Sequence, residues 1–420
     1  MNKQDLRNLA AEAEVALAAH FRRLDEISYE LTEKVITTFR EHRVDDTMFA
    51  ATSGYGYDDK GRDALDRIFA DLVGAESAFV RHSIVNGTQA LAIGLYGLLR
   101  PGDIMLSVAG KPYDTLEQVI GIVGEPGNGS LADFGVEYRQ IELDGAGHLD
   151  LPAIGKALEE NRGRVKMVFV QRSKGYLNRR TLTVAEIGEL VSFVKGISPD
   201  TFVVVDNCYG EFTERLEPTA VGADLIIGSL IKNPGGGMAE SGGYLAGTAR
   251  AVELASYRLT TVGTGLEVGA TLGNNKSLYK GLFYAPHTTA QALKTAHLAA
   301  YVFEALGFEV EPGWDEARSD IIQTVKTFDP EMLCALCRGI QKGSPVDAYV
   351  TPEPWAMPGY TDKVIMAAGA FTQGSSIELS ADGPLRYPYT AYLQGGLTYE
   401  SGKIGILSAA AAMIEQKGRT

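Results

Sequence analysis

The sequence predicts an α/β protein, with a large domain built on a mostly parallel sheet covered by helices and a smaller α+β domain after it. Seven short segments rich in Val, Ile and Leu occur between residues 77 and 247, and helical segments separate several of them. Such alternation is typical of parallel sheets with helices on both faces. The pattern changes after residue 288, and a length of 420 residues suits two domains better than one core.

The individual elements follow from the spacing of apolar residues. The predicted strands of the large domain are SAFVR, DIMLSVA, VEYRQIEL, VKMVFVQ, TFVVVDN, DLIIGS and GGYLAG, with helices at 89–99 and 184–194 between them. In the smaller domain a long helix at 288–305 precedes the strands FEVEP, DIIQTVKTF, KVIMAAGAF and SSIELS and the helices PEMLCALCRG and GILSAAAAMIEQ. Because YAPH at 284–287 breaks the regular pattern, we predict an N-terminal helical segment at 1–50, a large domain at 51–285 and a small domain at 286–420.

Composition and charge exclude several classes of function. The net charge of -14, from 39 basic and 53 acidic residues without a dense basic run, argues against nucleic-acid binding. No apolar segment is long enough to span a bilayer, and the N-terminus reads as an amphipathic helix rather than a signal peptide, so we expect a cytoplasmic protein. The histidines are scattered, and Cys334 and Cys337 lie in a predicted helix where we expect them to face the core. We therefore predict no structural metal.

One lysine stands in an unusual setting. Lys232 lies in GSLIKNPGGG, between a short apolar strand and three consecutive glycines that let the backbone approach a ligand closely. A surface lysine needs no such setting. A lysine held at a strand end beside a ligand is a candidate Schiff-base nucleophile, and the alternative is an ordinary loop lysine.

An aspartate ends the preceding predicted strand. Asp206, in VVVDNCYGEF, is separated from Lys232 by one strand, a spacing that favours a shared site. A carboxylate there could bind a metal, cap the following turn or pair with a cationic ring. In pyridoxal phosphate enzymes an aspartate keeps the pyridine nitrogen protonated, so that the ring accepts electrons from the substrate's α-carbon, and Asp206 fits this role.

A phosphate site is predicted at the start of an apolar helix. Asn86, Gly87 and Thr88 directly precede that helix, where free backbone N–H groups form an anion site suited to the cofactor phosphate, although the same tripeptide is also a good N-cap. Ser229 could add a hydroxyl to this site. Tyr113, in GKPYDT, is a candidate to stack on the pyridine ring, the alternative being a partly buried loop tyrosine.

These segments together resemble a known family. GSLIKNPGGGMAESGGYLAG, VVVDNCYGEF, VNGTQAL, SGYGYDDKGRDALDRIFADLVGAE and DGPLRYPY are similar to segments of the aluminium-resistance or methionine γ-lyase-related family. That family belongs to the fold-type I pyridoxal phosphate enzymes, in the cystathionine β/γ-lyase group. The resemblance runs from about residue 53 to residue 389 and covers most of the chain.

The resemblance implies a role for each matching position. Lys232 would form the Schiff base with pyridoxal 5'-phosphate, Asp206 would pair with the pyridine nitrogen, and Tyr113 would stack on the ring. Gly87, Thr88 and Ser229 would hold the phosphate. In related lyases a tyrosine of the neighbouring subunit also reaches the phosphate, and Tyr55 and Tyr57 are both candidates here. The active site would then be composite, with a homodimer as the minimal active unit and a homotetramer as a pair of dimers.

Three residues are candidates for binding the substrate. Arg386, in DGPLRYPY of the smaller domain, is the best candidate for the substrate carboxylate because guanidinium and carboxylate match as a bidentate pair. Arg172 and Ser173 close the strand VKMVFVQ and could supply further contacts. Typical cystathionine lyases carry a different, asparagine-containing motif at this strand end, so the resemblance leaves the substrate open.

Three hypotheses about function follow. The first is a carbon–sulfur lyase that acts on an amino acid by β- or γ-elimination. The second is another pyridoxal phosphate reaction, such as transamination, racemisation or aldol cleavage, which would use the same lysine and aspartate. The third is a protein that binds the cofactor in a stress-related role without efficient turnover.

Overall fold

The computed structural model describes residues 2–357 and 360–418. The strands of the described chain are β1 Ser77–Arg81, β2 Ile104–Ser107, β3 Glu137–Gln140, β4 Val165–Gln171, β5 Phe202–Asp206, β6 Leu225–Ser229, β7 Gly243–Gly247, β8 Glu309–Glu311, β9 Gln323–Lys326, β10 Val364–Ala367, β11 Ser380–Pro384 and β12 Thr390–Gln394. The α-helices are α1 Lys3–Ala16, α2 Ala18–Glu41, α3 Lys60–Val73, α4 Gly87–Leu98, α5 Asp114–Ile120, α6 Leu151–Glu160, α7 Val184–Ile197, α8 Ala249–Leu259, α9 Asn275–Ala305, α10 Pro330–Gly343 and α11 Tyr399–Lys417.

The chain divides into two compact units, and the larger one contains a seven-stranded sheet. This unit comprises Glu33–Leu230 and Met238–Phe283. Its strand order is β1-β7-β6-β5-β4-β2-β3, with β7 antiparallel to both of its neighbours and the other pairs parallel. All seven strands predicted from the sequence are present, and the α/β fold with a mostly parallel sheet is confirmed. Buried parallel strands are continuous apolar runs, which makes them easy to recognise in a sequence.

Helix α4 packs closely on this sheet because two of its residues lack a side chain. A Cβ at Gly94 would lie 2.4 Å from Ile227 Cδ1 in β6, and a Cβ at Gly97 would lie 2.7 Å from Ala255 Cα in α8. The surrounding apolar core, which includes Phe79, is fully buried there. The helix therefore lies directly over β6, and this packing brings its N-terminus to the carboxyl end of that strand.

The second unit contains a five-stranded antiparallel sheet. It comprises the residues up to Thr32, Ile231–Gly237 and the residues from Tyr284 onward. The strand order is β10-β11-β12-β9-β8, and α1, α10 and α11 contribute to one hydrophobic core with it. Cys334 and Cys337 are buried in this core, as the sequence predicted. Burial raises the pKa of both thiols, most strongly that of Cys337.

Two details of the sequence interpretation were wrong. The segment YAPH does not interrupt the helical pattern, since α9 runs unbroken from Asn275 to Ala305 with Pro286 inside it. In the segment SSIELS only the last residue, Ser380, belongs to a strand. Before it, the Glu378 carboxylate accepts the N–H groups of Phe371 and Thr372 and closes a turn. The strands β11 and β12 follow instead, and the sequence interpretation missed both.

The two compact units are defined by contacts between residues and consist of separate segments, whereas the domains predicted from the sequence are continuous ranges. Residues up to Thr32 and the segment Ile231–Gly237 belong by contacts to the unit with the antiparallel sheet. The division into domains at 1–50, 51–285 and 286–420 therefore stays a prediction. Among the described helices, none combines the length and the apolar character that a membrane crossing requires.

Candidate active site

The carboxyl ends of three parallel strands lie side by side in the large sheet. Gln171 at the end of β4 is paired in register with Asp206 at the end of β5, and Asp206 is paired with Ile227 of β6. Ser229 lies two residues farther along β6. In parallel sheets covered by helices, ligands bind beyond this edge, so these side chains border a candidate site.

Ser229 faces the N-terminus of α4. A Cβ placed on Gly87 would lie 3.5 Å from Ser229 Cβ and 3.7 Å from Cys208 Sγ, so the absence of a side chain at Gly87 keeps this space open. Ser229 is 1% exposed, and its hydroxyl has no hydrogen-bond partner among the described residues. A buried hydroxyl without a partner is costly unless something else bonds to it, and this hydroxyl therefore points to a ligand.

The first turn of α4 adds further donors to the same place. The Asn86 side chain accepts the N–H of Gln89, so Asn86 is the N-cap of the helix. The amides of Gly87 and Thr88 precede the first intrahelical hydrogen bond and have no acceptor within the helix. The Thr88 hydroxyl lies 2.7 Å from the Thr115 hydroxyl, which links the start of α4 to the start of α5. The helix thus offers two amides, beside its positive dipole end, to an anion.

Tyr113 lies near the end of β4. It is the residue before α5, and its ring centroid is 5.6 Å from that of Tyr176, with an interplanar angle of 53°. A Cβ on Gly175 would lie 3.2 Å from Tyr113 Cδ2 and 2.8 Å from Gln171 Nε2. Gln171 is buried, and its Oε1 has no partner in the described chain. The tyrosine, the glutamine and the glycine therefore surround one place at this edge of the sheet.

Asp206 is buried at the same edge. Asp206 is 5% exposed, and its Oδ1 accepts the N–H of Cys208 at 3.1 Å. The side chain thus helps to shape the turn after β5, which was one of the alternatives considered for this residue. One oxygen in a turn does not prevent the carboxylate from pairing with a cationic ring as well, since a carboxylate has about four acceptor sites.

The loop Ile231–Gly237, here called the lysine loop, begins directly after β6 and the residue Leu230. Lys232 is in an extended conformation and precedes a single 3₁₀ turn that starts at Asn233. Gly236 and Gly237 have φ of 53° and 73°, a left-handed region that favours glycine. A Cβ on Gly237 would lie 2.3 Å from Leu397 Cδ2. The glycines are therefore required by backbone conformation and by close packing.

Arg172 is occupied by a buried network. It is 0% exposed, and its guanidinium donates to Asn207 Oδ1 at 2.8 Å, to Gly210 O at 3.0 Å and to Glu214 Oε1 at 2.6 Å. Asn207 Nδ2 in turn donates to Glu217 Oε2 at 2.8 Å. Because Asn207 follows Asp206 directly, these bonds hold the end of β5 in place. The hydrogen bonds of Arg172 are thus made within the chain, and its contact with a substrate stays a prediction.

Burial changes the ionisation of this network. It raises the pKa of Glu217, although the Arg172 charge opposes the shift, and it raises the pKa of Tyr244 well above the ordinary value. The Tyr244 hydroxyl donates to Glu211 Oε1 at 2.8 Å. A Cβ on Gly228 would lie 2.5 Å from that carboxylate oxygen, so the glycine makes room for the network behind the site.

The remaining candidates make contacts of their own within the chain. Ser173 is 4% exposed, and its carbonyl accepts from Gln171 Nε2 at 3.1 Å. Arg386 lies in the hairpin between β11 and β12 and forms an ion pair with Asp362 at 3.2 Å. Tyr55 and Tyr57 are 75% and 62% exposed, with ring centroids 5.6 Å apart. Within residues 2–357 and 360–418, His, Cys, Asp and Glu form no group suited to a metal ion.

A family model decides the relationship of this chain. Residues 6–414 match the model described as methionine gamma-lyase. The chain belongs to the methionine gamma-lyase family. The resemblance inferred from the sequence motifs is thereby confirmed, and it extends from residue 6 to residue 414.

Several known proteins are similar to this chain in sequence or in fold. A carbon–sulfur lyase involved in aluminium resistance from Clostridium novyi NT is 51% identical, with 98% of this chain and 96% of that chain covered and a TM-score of 0.94. The uncharacterised protein YnbB of Bacillus subtilis (strain 168) is 49% identical over 412 residues, which are 98% of this chain and 97% of YnbB. The pyridoxal-5'-phosphate-dependent protein YhfS of Escherichia coli shares the fold at 15% identity, with 93% and 97% coverage and a TM-score of 0.62.

The structure places several residues at this site that the sequence interpretation did not name. Cys208 lies beside Gly87, and Thr115 lies beside Thr88, although each pair is far apart along the chain. The carboxylates that pair with Arg172, the partly buried Glu214 and the buried Glu217, were also missed. The only sequence signal was their position in the segment that follows Asp206, because residues after a strand's carboxyl end often line a site.

Proposed function

We propose that this chain is a pyridoxal phosphate-dependent lyase that breaks a carbon–sulfur bond of an amino acid. The observation that carries the proposal is the buried hydroxyl of Ser229, which has no partner in the described chain and faces the N-terminus of α4 across Gly87. A phosphate group would bond to this hydroxyl and to the amides of Gly87 and Thr88. Asn86 would support the site as the helix cap.

The other predicted residues fit the remainder of the cofactor. Asp206, in the same edge of the sheet as Ser229, would pair with the pyridine nitrogen, and Tyr113 would stack on the ring. Lys232, three residues beyond the end of β6, would bind the cofactor covalently. Family membership and the names of similar proteins support this assignment, since one is a carbon–sulfur lyase and another is pyridoxal phosphate-dependent.

The chemistry divides among a few residues of this chain. When bound, pyridoxal phosphate withdraws electrons from the substrate's α-carbon. The amine of Lys232 would take the α-proton as a general base. The Asp206 carboxylate would hold the proton on the pyridine nitrogen. Loss of the sulfur group and addition of water would then release a thiol, a 2-oxo acid and ammonia.

The exposed tyrosines support a composite site. Large aromatic side chains that are mostly exposed in one subunit commonly mark an interface. We propose that Tyr55 or Tyr57 reaches the phosphate site of a second copy of the chain, so that the homodimer is the minimal active unit, with a homotetramer as a pair of dimers. The loop that carries them is held in place, because Gly269 N donates to Tyr55 O at 2.8 Å and Arg62 Nη1 donates to Gly56 O at 2.6 Å.

Product analysis with a thioether amino acid tests the proposed reaction. We expect purified, cofactor-loaded protein to release ammonia, a thiol and a 2-oxo acid from cystathionine in equal amounts. Cleavage on the β side leaves a three-carbon 2-oxo acid, whereas cleavage on the γ side leaves a four-carbon one, so one substrate separates the two modes. Methionine, which can lose its sulfur only from the γ-carbon, provides the second substrate.

Other products would contradict the proposed elimination. Transfer of the amine to an added 2-oxo acid, without release of ammonia or thiol, would show a transaminase. Cofactor binding without any product from sulfur amino acids would favour a role without turnover. The Lys232→Ala variant is the control for product formed by free cofactor in solution.

The phosphate site makes a separate prediction for Ser229→Ala. The affinity for pyridoxal phosphate should fall by about tenfold or more, because a hydrogen bond to a charged group contributes about 1.5–3 kcal/mol. The stability of the cofactor-free protein should stay the same or rise, since the hydroxyl has no protein partner. Absorbance titration and thermal denaturation of the cofactor-free protein measure the two quantities.

Ser107→Ala is the matched control for this variant. Ser107 is also 1% exposed and also ends a strand of the same sheet, but its hydroxyl donates to Gly110 O at 2.6 Å. We expect this change to lower stability by about 1 kcal/mol and to leave cofactor affinity unchanged. Equal effects of the two substitutions on cofactor affinity would contradict a phosphate contact from Ser229.

A further inference from the structure

The small antiparallel sheet has one end that carries the lysine loop. In the pairing of β9 with β12, Gln323 is opposite Leu393 and Lys326 is opposite Thr390. Leu397, just beyond β12, contacts Gly237 of the lysine loop. The start of β9 and the end of β12 therefore lie at the end of the sheet that contacts the lysine loop through Gly237.

Arg318 is held at this end of the sheet. It precedes β9 by five residues and is 9% exposed. Its Nη2 donates to Gln323 Oε1 at 2.6 Å and to Gly313 O at 3.4 Å. Gln323 is 0% exposed, and its Nε2 donates to Pro312 O and Thr324 O at 3.0 Å each. Gln323 thus accepts from the guanidinium with its Oε1, while two backbone carbonyls hold its Nε2 in place.

The other donors of Arg318 are buried without partners. Neither Nε nor Nη1 has an acceptor in the chain as described. Burial lowers the pKa of Arg318 to about 10, against the opposing charges of Asp320 and Glu316, so it stays charged at neutral pH. Buried guanidinium donors without acceptors are strongly unfavourable, and proteins tolerate them chiefly where an anion binds.

Arg386 differs from Arg318 in its position, its exposure and its pairing. It lies at the opposite end of β12, and the four residue steps of that strand separate the two ends by about 13 Å. Its side chain is 40% exposed and already paired with Asp362. The unit with the antiparallel sheet thus contains Arg386, which is paired with Asp362 beyond one end of β12, and Arg318, which is buried and charged at the end of the sheet that contacts the lysine loop.

We propose that Arg318 binds the α-carboxylate of the amino-acid substrate. The inference rests on the proposed function, since it supplies the carboxylate partner that an amino-acid enzyme requires. Gln323 is a positioning residue that orients the guanidinium. Removal of the arginine should weaken ligands that carry a carboxylate and spare those in which an amide replaces it.

Binding of L-alanine and L-alaninamide to the cofactor-loaded protein tests this assignment. Alanine has no leaving group, so the change in cofactor absorbance reports binding and not turnover. We expect Arg318→Gln to raise the dissociation constant of alanine by about 100-fold or more and that of alaninamide by only a few fold. The same variant should show a raised KM for the thioether substrate, and Arg318→Lys should be intermediate because it keeps the charge without the fork.

Arg386→Gln is the matched control, and it should bind both ligands as the wild type does. The ratio of the two dissociation constants does not depend on the folded fraction of a variant, so it remains informative if Arg318→Gln lowers stability. An unchanged ratio in Arg318→Gln, or a lost preference for alanine in Arg386→Gln, overturns the assignment to Arg318. A wild-type protein that takes up no cofactor at Lys232 overturns the proposed function instead, so the two failures are distinguishable.

Discussion

Lys232→Ala should lose both covalent cofactor and turnover. In the wild type we expect an absorption band that borohydride bleaches, with the reduced cofactor left attached to Lys232. Alanine has no amine to form the bond, so the variant should bind the cofactor only by its non-covalent contacts. The lost base alone should slow the reaction by about 10²–10⁴-fold.

A second lysine makes peptide mapping essential. Lys174 is 1% exposed and follows the end of β4, in the same sheet edge as Asp206 and Ser229. Digestion and mass spectrometry after borohydride treatment distinguish the two lysines, because the reduced cofactor adds a fixed mass to one peptide. Attachment at Lys174, or an unchanged bleachable band in Lys232→Ala, would disprove the assignment of Lys232.

The second large effect is expected for Asp206→Asn. The amide preserves the size of the side chain and still accepts the N–H of Cys208, which Asp206 Oδ1 accepts at 3.1 Å. It carries no negative charge, however, and cannot stabilise a proton on the pyridine nitrogen. We expect kcat to fall by about 10²–10³-fold, the range found when one electrostatic contact in an active site is removed. Cofactor affinity should change little, because the phosphate contacts remain.

Asp224→Asn is the control for the cost of altering a buried aspartate in this sheet. Asp224 directly precedes β6, at the strand end opposite Ser229, and is 8% exposed. Its Oδ2 accepts Val203 N at 2.7 Å and pairs with Lys195 at 2.7 Å. Asp224→Asn should lower the thermal midpoint and leave kcat unchanged. If Asp206→Asn lowers stability but not kcat, Asp206 is a structural cap only.

The large sheet could be predicted because its physical signals are local. Each of its strands is a short apolar run between turn residues, and burial on both faces imposes that composition. The small sheet gave weaker signals. β11 is SADGP, with a glycine and a proline, and it forms a strand because β10 and β12 pair with it on either side. Pairing partners distant in sequence overrode the low strand propensity of these residues.

The continuity of α9 has a similar explanation. Proline removes one backbone donor and commonly ends a helix, which led to a predicted break at residues 284–287. In the folded chain the hydroxyl of Thr288 donates to the carbonyls of Tyr284 and Ala285, while Ala285 and Leu293 are buried. Packing and side-chain hydrogen bonds beyond the local sequence therefore sustain the helix through Pro286.

At the candidate site, too, some residues could be predicted from local sequence signals and others could not. Lys232 and Asp206 could be predicted as site residues because Asp206 ends one recognisable strand and Lys232 follows the next, and the end of a strand in a parallel sheet is a predictable place for a ligand. The roles of the arginines could not be assigned in this way. Arg172 and Arg318 lie next to predicted strands and Arg386 lies in the segment after one. The sequence does not show that Arg172 is fully buried, that Arg318 has two donors without acceptors and that Arg386 forms an ion pair with Asp362.

By itself the sequence determined the α/β class, the family resemblance and the strand ends that carry Lys232, Asp206 and Ser229, because these depend on composition and spacing along the chain. Only the tertiary structure placed Gly87 against Ser229 and left the Ser229 hydroxyl and two nitrogens of Arg318 without protein partners. Hydrogen-bond satisfaction and burial are properties of neighbours in space. Residues far apart in the chain decide them, and they become visible only once the chain has folded.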